Sequence, residues 1–299
     1  MKQPRGVGFQ RNFYTGSLIW DLHALGTQID YVELLCDTVG GSLDGPHMID
    51  PRNRAWFEEL GGTFPLVAHS NYGEQYGFAP IADTPAAKRH VGIAKEMKSP
   101  WFADHMFYGT PSTSYLWSTP MQFSKREAQR CADRAAALQD MLQMPLLHEN
   151  AFIYAMFPGS DIQEAEFLAE LVEKAGTGLL LDLHNLHANS VNNEHMDRWA
   201  FLKTVPLDKV IEIHIAGGQW IDGWYHDLHN NSVPEPVWEM LEYVLTHGKN
   251  AQAVTLEVQG PLHNAFSRPI DKTWPTWVKA DLDRARSIWN KTHAADPAV

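Results

Sequence analysis

The chain has 299 residues, of which 44% are hydrophobic, so it can bury a large core. Its formal net charge of -12 argues against a nucleic-acid partner, because proteins that bind nucleic acid present a basic surface. Apolar runs are all shorter than the roughly 20 residues of a membrane-spanning helix, and the first residues carry no apolar signal segment. The two cysteines, Cys36 and Cys131, cannot form a disulfide framework. We therefore expect a cytoplasmic protein without a membrane or nucleic-acid partner.

Short apolar runs alternate with amphipathic segments along the whole chain. The apolar runs predict strands at Gly6–Phe9, Tyr31–Leu35, Leu66–His69, Trp101–Met106, Leu146–Glu149, Gly178–Asp182, Val210–His214 and Ala253–Glu257. The amphipathic segments predict helices at Thr15–Leu25, Asn53–Leu60, Thr84–Lys98, Ser124–Leu142, Ser160–Ala175, Asp197–Thr204, Pro236–His247 and Trp277–Asn290. Thr84, Ser124 and Ser160 have the sequence context of N-cap residues.

Eight strands alternating with helices predict an α/β fold, a (β/α)8 barrel of the TIM type that forms one domain over residues 1–299. The tail after about residue 291 is expected to fray, as chain ends commonly do. A doubly wound open sheet has the same periodicity and is the competing architecture.

Potential metal ligands stand where the predicted strands end or in the loops that follow. They are His69, His105, Glu149, Asp182, Asn185, His214, Asp227, His229 and Glu257. In a parallel barrel these strand ends lie on one face, so the side chains can converge on one pocket. Several carboxylates packed together without cations would be costly, and two or three bound metal ions would remove that cost. The pattern therefore predicts a site with more than one metal ion.

Any one of these residues has an ordinary structural alternative. A single histidine at a strand end is more often a hydrogen-bonded structural residue, and Asp182 alone could cap a turn. Imidazole and carboxylate ends on consecutive strands make the metal site the better hypothesis. His184 and His187 could be ligands or could support a ligand from behind. Surface or structural roles are expected for His23, His47, His90, His195, His247, His263 and His293.

Four segments carry a family resemblance: LLHENAFIY, FLAELVEKAGTGLLLDLHNLHAN, EIHIAGG and HDLHNNSVPEPVWEML. In this order they resemble the multinuclear non-haem iron-dependent oxidases, formerly a domain of unknown function. That family includes the methanobactin-pathway oxidase and the enzyme that excises a carbon from a peptide C-terminal cysteine. The resemblance covers roughly residues 6–260 and is most specific from Leu146 to Trp238.

The resemblance implies a xylose-isomerase-like barrel that holds two or three iron ions, in mixed Fe(II) and Fe(III) states. It implies O2 as co-substrate and a ribosomally made precursor peptide as substrate, modified at cysteine, with a small peptide-recognition protein as partner. Carried over by motif, the metal ligands are the nine residues named above. The modified peptide itself is not implied.

Other functions remain open on the same barrel. A metal-dependent sugar isomerase or epimerase would need a lysine or an acid pair beside the metal, and no lysine falls at a predicted strand end. A zinc-dependent phosphodiesterase of the apurinic-site endonuclease type has a similar ligand order, but the acidic net charge opposes a DNA partner. Metal storage or sensing would need no catalysis. Candidate pocket-wall residues are Arg11, Tyr14, Trp220, Trp224 and Tyr225, although ordinary loop and core packing is the favoured interpretation for them.

Overall fold

Strands and helices alternate along the chain. The computed structural model describes residues 5–12, 15–41, 47–70, 76–108, 119–259 and 274–293. The strands are β1 (Gly6–Arg11), β2 (Val32–Leu35), β3 (Leu66–Ser70), β4 (Phe102–His105), β5 (Leu146–Glu149), β6 (Gly178–Asp182), β7 (Val210–Ile215), β8 (Gln219–Ile221), β9 (Trp224–His226) and β10 (Ala253–Leu256). The helices are α1 (Leu18–Ala24), α2 (Cys36–Val39), α3 (Arg54–Thr63), α4 (Pro85–Met97), α5 (Lys125–Leu142), α6 (Glu164–Ala175), α7 (Leu183–Asn192), α8 (Arg198–Thr204), α9 (Glu235–His247) and α10 (Trp274–His293).

Eight parallel strands close into a barrel in the order β1-β10-β7-β6-β5-β4-β3-β2. The barrel closes because β1 pairs with β2 on one side and with β10 on the other. The predicted (β/α)8 barrel is therefore confirmed, and the open-sheet alternative is wrong. Each of the predicted strands matches one of these eight strands to within two residues at either end.

Side chains along each barrel strand alternate between two cores. One set packs outward against the helices and includes Ala68, Leu146, Leu181 and Ile213. The other set fills the barrel interior and includes Val67, Leu147 and Leu180. Because successive side chains of a strand point to opposite faces, both sets must be apolar, which explains the continuous apolar runs in the sequence.

Besides the short helix α2, two parts of the chain depart from the sequence prediction. The segment after β6 forms the helix α7, because the Asp182 side chain accepts a hydrogen bond from the Asn185 N–H and so caps its first turn. After β7 the chain forms the β8–β9 hairpin. Its turn residues, Asp222 and Gly223, both have positive φ, as an Asp-Gly hairpin turn requires. That dipeptide was a usable sequence signal.

The three predicted helix starts differ in outcome. Ser124 caps α5 as expected, accepting from the Glu127 N–H at 3.2 Å. Thr84 stands at the N-cap of α4 but donates to the Pro80 carbonyl instead. Ser160 is not a cap, because its hydroxyl bonds the Phe157 carbonyl and α6 begins later, at Glu164.

Helix α10 continues to His293, two residues beyond the point at which fraying was expected. Within the described ranges, none of the helices combines the length and the apolar composition needed to cross a bilayer.

Candidate metal centre

Ligand-type side chains lie at the carboxyl end of the barrel, two residues beyond residues of the interior core. On each of four strands, an interior core residue is followed two positions later by a ligand-type residue: Val67 and His69, Ala103 and His105, Leu147 and Glu149, and Leu180 and Asp182. Since side chains two apart share a face, the core positions direct these ligands toward the barrel axis. The register sets them level with one another, with His105 opposite Glu149 and Asp182 opposite His214.

The first ligand group consists of His69, His105 and Glu149. Both imidazole Nε2 atoms lie 3.2 Å from Oε2 of Glu149. The Nδ1 of His105 contacts the Ser70 carbonyl at 3.3 Å and can only donate to it. In a neutral His105 the lone pair of Nε2 then faces the carboxylate. This is an arrangement that a shared cation stabilises.

The central ligand group consists of Glu149, Asp182, His214 and Glu257. Nδ1 of His214 lies 3.4 Å from Glu149 Oε1, 3.3 Å from Glu257 Oε2 and 4.0 Å from Asp182 Oδ2. All four side chains are buried. Three carboxyl groups therefore meet around one imidazole nitrogen, with Glu149 shared between this group and the first.

The third ligand group consists of His184, Asp227 and His229. Asp227 Oδ1 lies 2.8 Å from His184 Nδ1 and 2.6 Å from His229 Nε2. His229 Nε2 is also 3.9 Å from Glu257 Oε2, which connects this group to the central one. The three groups therefore form one continuous centre.

Close packing around Gly218 explains how His184 is held in the third ligand group. A Cβ at Gly218 would lie 2.2 Å from the His226 carbonyl and 3.0 Å from His184 Nε2. The Gly218 N–H donates to the Tyr225 hydroxyl at 2.9 Å, and this hydroxyl lies 3.3 Å from His184 Nε2. Tyr225 therefore holds the far nitrogen of His184 while Nδ1 faces Asp227.

Burial and neighbouring charges together set the pKa values of the centre. Burial lowers the pKa of His69, but the negative charge of Glu33 and Glu149 outweighs it and raises that pKa to about 10. For Asp182, burial and then the charges of Glu257 and Glu149 raise the pKa well above its usual range. Neutral imidazoles thus do not supply enough positive charge to balance the carboxylates.

Glu149 and Glu257 have their charged forms favoured instead. Burial acts to raise the pKa of Glu149, but the facing His105 and His69 lower it well below its usual range. Burial likewise opposes ionisation of Glu257, and His214 and His229 lower its pKa to about 2. Burial lowers the pKa of His229, but Asp227 and Glu257 raise it to about 10. The protonated imidazoles of His69 and His229 therefore supply the positive charge that metal ions would otherwise supply.

Many of the facing atoms are buried and meet at most one another, at ion-pair distances without hydrogen-bond geometry, which is the strongest sign that the centre fits metal ions. They include both oxygens of Glu149, Asp182 Oδ2, His184 Nδ1, His214 Nδ1, Asp227 Oδ1 and both nitrogens of His69 and of His229. Buried polar atoms without partners are rare, and a bound ion is one accepted explanation. Imidazole and carboxylate donors suit first-row divalent metals.

A fourth cluster, of Glu33, Glu212 and His214, is equally close but does not share this property. Glu33 meets His214 Nε2 at 2.9 Å and accepts from the Gln10 amide at 2.8 Å. Glu212 accepts from Trp101 and from Thr255, each at 2.7 Å. These carboxyl groups have partners, so this cluster is a support for the centre rather than a further metal site.

The structure brings the sequence-predicted ligands together. Eight of the nine lie in the three ligand groups, and the ninth, Asn185, bonds to Asp182 through its backbone. The Asn185 amide donates to the Asn150 carbonyl at 3.0 Å, which leaves its Oδ1 buried without a hydrogen bond. His184 joins them, whereas His187 faces the Tyr225 ring and belongs to none of these groups. Their binding of metal stays a prediction.

Sequence reasoning missed the residues behind the ligands. Glu33 of β2 contacts His214, and the Gln10 amide of β1 donates to Glu257. No metal ligand is predicted on either strand from the sequence alone. The available signal was a glutamate inside an apolar run, Val32-Glu33-Leu34, where a buried charge needs a partner. Asn150 was also missed, and its amide exchanges two 2.8 Å hydrogen bonds with the Asp182 backbone.

The suggested pocket-wall residues divide into different environments. Trp220 and Trp224 are 57% and 45% exposed on the hairpin, whereas Tyr225 is buried beside the third ligand group. Arg11 stacks on the Trp56 ring at 3.5 Å, so ordinary packing accounts for it. Tyr14, like His263, lies outside the described residues.

The sequence and the fold are both similar to those of known proteins. The sequence model of a family described as "RiPP precursor modification enzyme MbnB/TglH/ChrH" matches residues 5–265. UPF0276 proteins are similar over most of their length. One from Anaeromyxobacter sp. is 31% identical, and the match covers 79% of this chain and 78% of that protein. One from Shewanella loihica is 32% identical, and the match covers 86% of this chain and 94% of that protein. In fold, the chain is similar to D-psicose 3-epimerase from Clostridium cellulolyticum H10, with a TM-score of 0.62 at 12% identity over 95% of this chain and 99% of the epimerase.

Proposed function

The chain belongs to the MbnB/TglH/ChrH family of RiPP precursor modification enzymes, and from that premise we propose that it is an iron- and oxygen-dependent oxidase acting on a cysteine of a ribosomally made peptide. The supporting observation is the continuous centre of three ligand groups, whose facing atoms are buried and lack hydrogen bonds. Two or three metal ions would satisfy those atoms and neutralise the carboxylates.

The donor sets favour iron. The first and third ligand groups each contain two histidines and one carboxylate, a combination typical of non-haem Fe(II) oxygenase sites. The central ligand group supplies the carboxylates that join them. Iron bound there would supply the redox chemistry with O2 and the binding of a substrate thiolate.

The protein's own residues would hold this centre in position. Glu33 fixes the ring of His214 from the side opposite the central ligand group, and Tyr225 does the same for His184. Such outer contacts orient metal ligands and raise their basicity. The Asn150 bonds to the Asp182 backbone hold the ends of β5 and β6 together. The centre is thereby preorganised by the barrel.

The peptide would approach along the β8–β9 hairpin. Tyr154 is 40% exposed, packs edge-on against Trp224, and shares a 2.7 Å hydrogen bond with His226 Nδ1. His226 directly precedes Asp227 of the third ligand group. Exposed aromatic side chains are favoured in binding surfaces, and this surface adjoins the ligands. A small peptide-recognition protein would present the precursor there.

Metal content and product formation test the proposal together. Protein purified without oxygen should contain two or more irons per chain with a non-haem iron spectrum. Incubation with a cysteine-containing precursor peptide, sought among the genes that neighbour this one, should consume O2 and change the peptide mass, whereas its Cys→Ser variant should remain unchanged. Zinc as the only bound metal, or turnover of a ketose sugar instead of peptide, would contradict the oxidase and favour the phosphodiesterase or epimerase alternative.

A further inference from the structure

A buried carboxyl group outside the three ligand groups, that of Glu164, lies at a cavity between α6, α7 and α8. The cavity measures about 210 Å³. Its lining residues are Met156, Gln163, Glu164, Ala165, Glu166, Leu186, His195, Met196, Asp197, Ala200, Phe201 and Thr204. We call this space the α6–α8 cavity. None of these residues belongs to the three ligand groups.

Glu164 is the unusual residue of the α6–α8 cavity. Its side chain is 4% exposed, and Oε2 is buried without a hydrogen bond. The neighbouring carboxylates are already used: Glu166 accepts from the Gln163 N–H at 2.9 Å, and Asp197 accepts from the first turn of α8. Leaving a buried carboxyl oxygen without a partner is costly, so Glu164 needs a donor that the described residues do not provide.

The shape and lining of the cavity limit what that donor can be. Its volume is about seven times the roughly 30 Å³ that one water occupies. Much of the wall is apolar, formed by Met156, Leu186, Met196 and Phe201, and waters there would lack the two to four polar partners each requires. A ligand with an apolar stem and one charged donor head would satisfy both parts of the cavity.

The position of Glu164 favours a cationic head. It stands at the first residue of α6, where the helix dipole stabilises a negative charge. Asp197, the N-cap residue of α8, and Glu166 of α6 add further negative charge at the wall. We propose that the α6–α8 cavity binds a primary alkylammonium group, carried by a lysine side chain or by a small aliphatic amine, with the Glu164 carboxylate as its counter-ion.

Binding of simple amines tests this directly by isothermal titration calorimetry. n-Pentylamine should bind and raise the Tm, whereas n-pentanol, with the same stem and no charge, should bind at least about tenfold more weakly. Glu164→Gln should reduce n-pentylamine affinity at least about tenfold. Glu173→Gln makes the same change at an exposed site on α6 outside the cavity and should leave affinity unchanged.

A second variant guards against a folding artefact. Ala200 is exposed at the cavity wall, so Ala200→Leu should fill the space and block n-pentylamine without removing the Glu164 charge. N-acetyl-lysine N-methylamide distinguishes the two sources of the ammonium group. If it binds with Glu164 dependence, the cavity takes a lysine side chain. If only n-pentylamine does so, the ligand is a small amine.

Proton release gives an independent readout. Burial raises the pKa of Glu164 to about 8, so the free protein holds the proton at pH 7 and should lose it when an ammonium group binds. The measured heat should then depend on the ionisation enthalpy of the buffer. Because Glu166, His195 and Asp197 also face the cavity, this dependence must vanish in Glu164→Gln to be assigned to Glu164. Equal binding of n-pentanol, or full affinity in Glu164→Gln, would overturn the proposal.

Discussion

The candidate metal centre and the α6–α8 cavity both bury carboxyl groups, but their surroundings have opposite effects on the pKa of these groups. Glu149 at the barrel mouth faces His69 and His105, and these imidazoles keep its pKa well below the usual range despite burial. Glu164 faces no cationic group in the described structure, and burial alone raises its pKa to about 8. Burial itself therefore does not decide the state of a carboxyl group. The nearest positive charge decides it, and this difference can be tested by removing the charges one at a time.

The largest effect is expected at Glu149, which belongs to both the first and the central ligand group. Glu149→Gln keeps the shape but removes the shared charge, so we expect metal affinity to fall by at least about 100-fold, with loss of more than one ion per chain. Metal analysis of protein purified without oxygen measures this, and circular dichroism checks the fold. Retention of the full metal content would refute the role of Glu149.

A smaller loss is expected when the support behind a ligand is removed. Glu33→Gln weakens the contact with His214 Nε2, and metal affinity should fall by about 10- to 100-fold while the ligands themselves stay. The iron spectrum should change as well, because the His214 ring is released. Glu212→Gln is the comparison variant and should have a smaller effect, because this carboxyl group is in the same cluster but hydrogen-bonds Trp101 and Thr255 instead of His214. Equal effects in both variants would assign Glu33 a general structural role.

The third effect concerns stability and has a defined pH dependence. Glu164 has a pKa of about 8 in the folded chain and the ordinary 4.5 when unfolded. Between these values the folded state binds more protons, so the free energy of unfolding falls as pH rises. Glu164→Gln removes this term and should be more stable than the parent by about 3 kcal/mol at pH 7.

Urea denaturation at pH 4 and pH 7 measures the Glu164 effect. The two proteins should have nearly equal stability at pH 4, where Glu164 is protonated both folded and unfolded, and should diverge toward pH 8. A constant difference over this range would show that another change, and not the ionisation of Glu164, separates them.

The smallest effect is expected on the exposed hairpin. Trp220→Ala and Trp224→Ala change residues that lie outside the three ligand groups, so metal content should be unchanged. Peptide affinity should fall, with a loss of about 1 to 2 kcal/mol in binding free energy for whichever tryptophan contributes more to the contact. Titration of the precursor peptide measures this, and Trp199→Ala, on the partly buried surface of α8, provides a control. Unchanged peptide binding in both hairpin variants would place the peptide elsewhere.

The sequence by itself determined the barrel and most of the imidazole and carboxyl side chains that meet at its carboxyl end. Continuous apolar runs are what strands buried on both faces require, and polar ligands begin two residues after an interior position, as in Leu147 and Glu149. Both features depend on local spacing, so they can be recognised without coordinates. The hairpin between Gln219 and His226 was also encoded locally, by Asp222-Gly223, although its signal was overlooked.

Only the tertiary structure decided how the ligands are grouped and what supports them. His184 and His187 lie three residues apart in the chain, yet only His184 meets Asp227, because α7 turns one ring toward the centre. Glu33 reaches His214 across 181 positions, and the cavity at Glu164 exists only because separate helices pack around it. Such contacts depend on how distant segments close together, and no local pattern of residues carries that information.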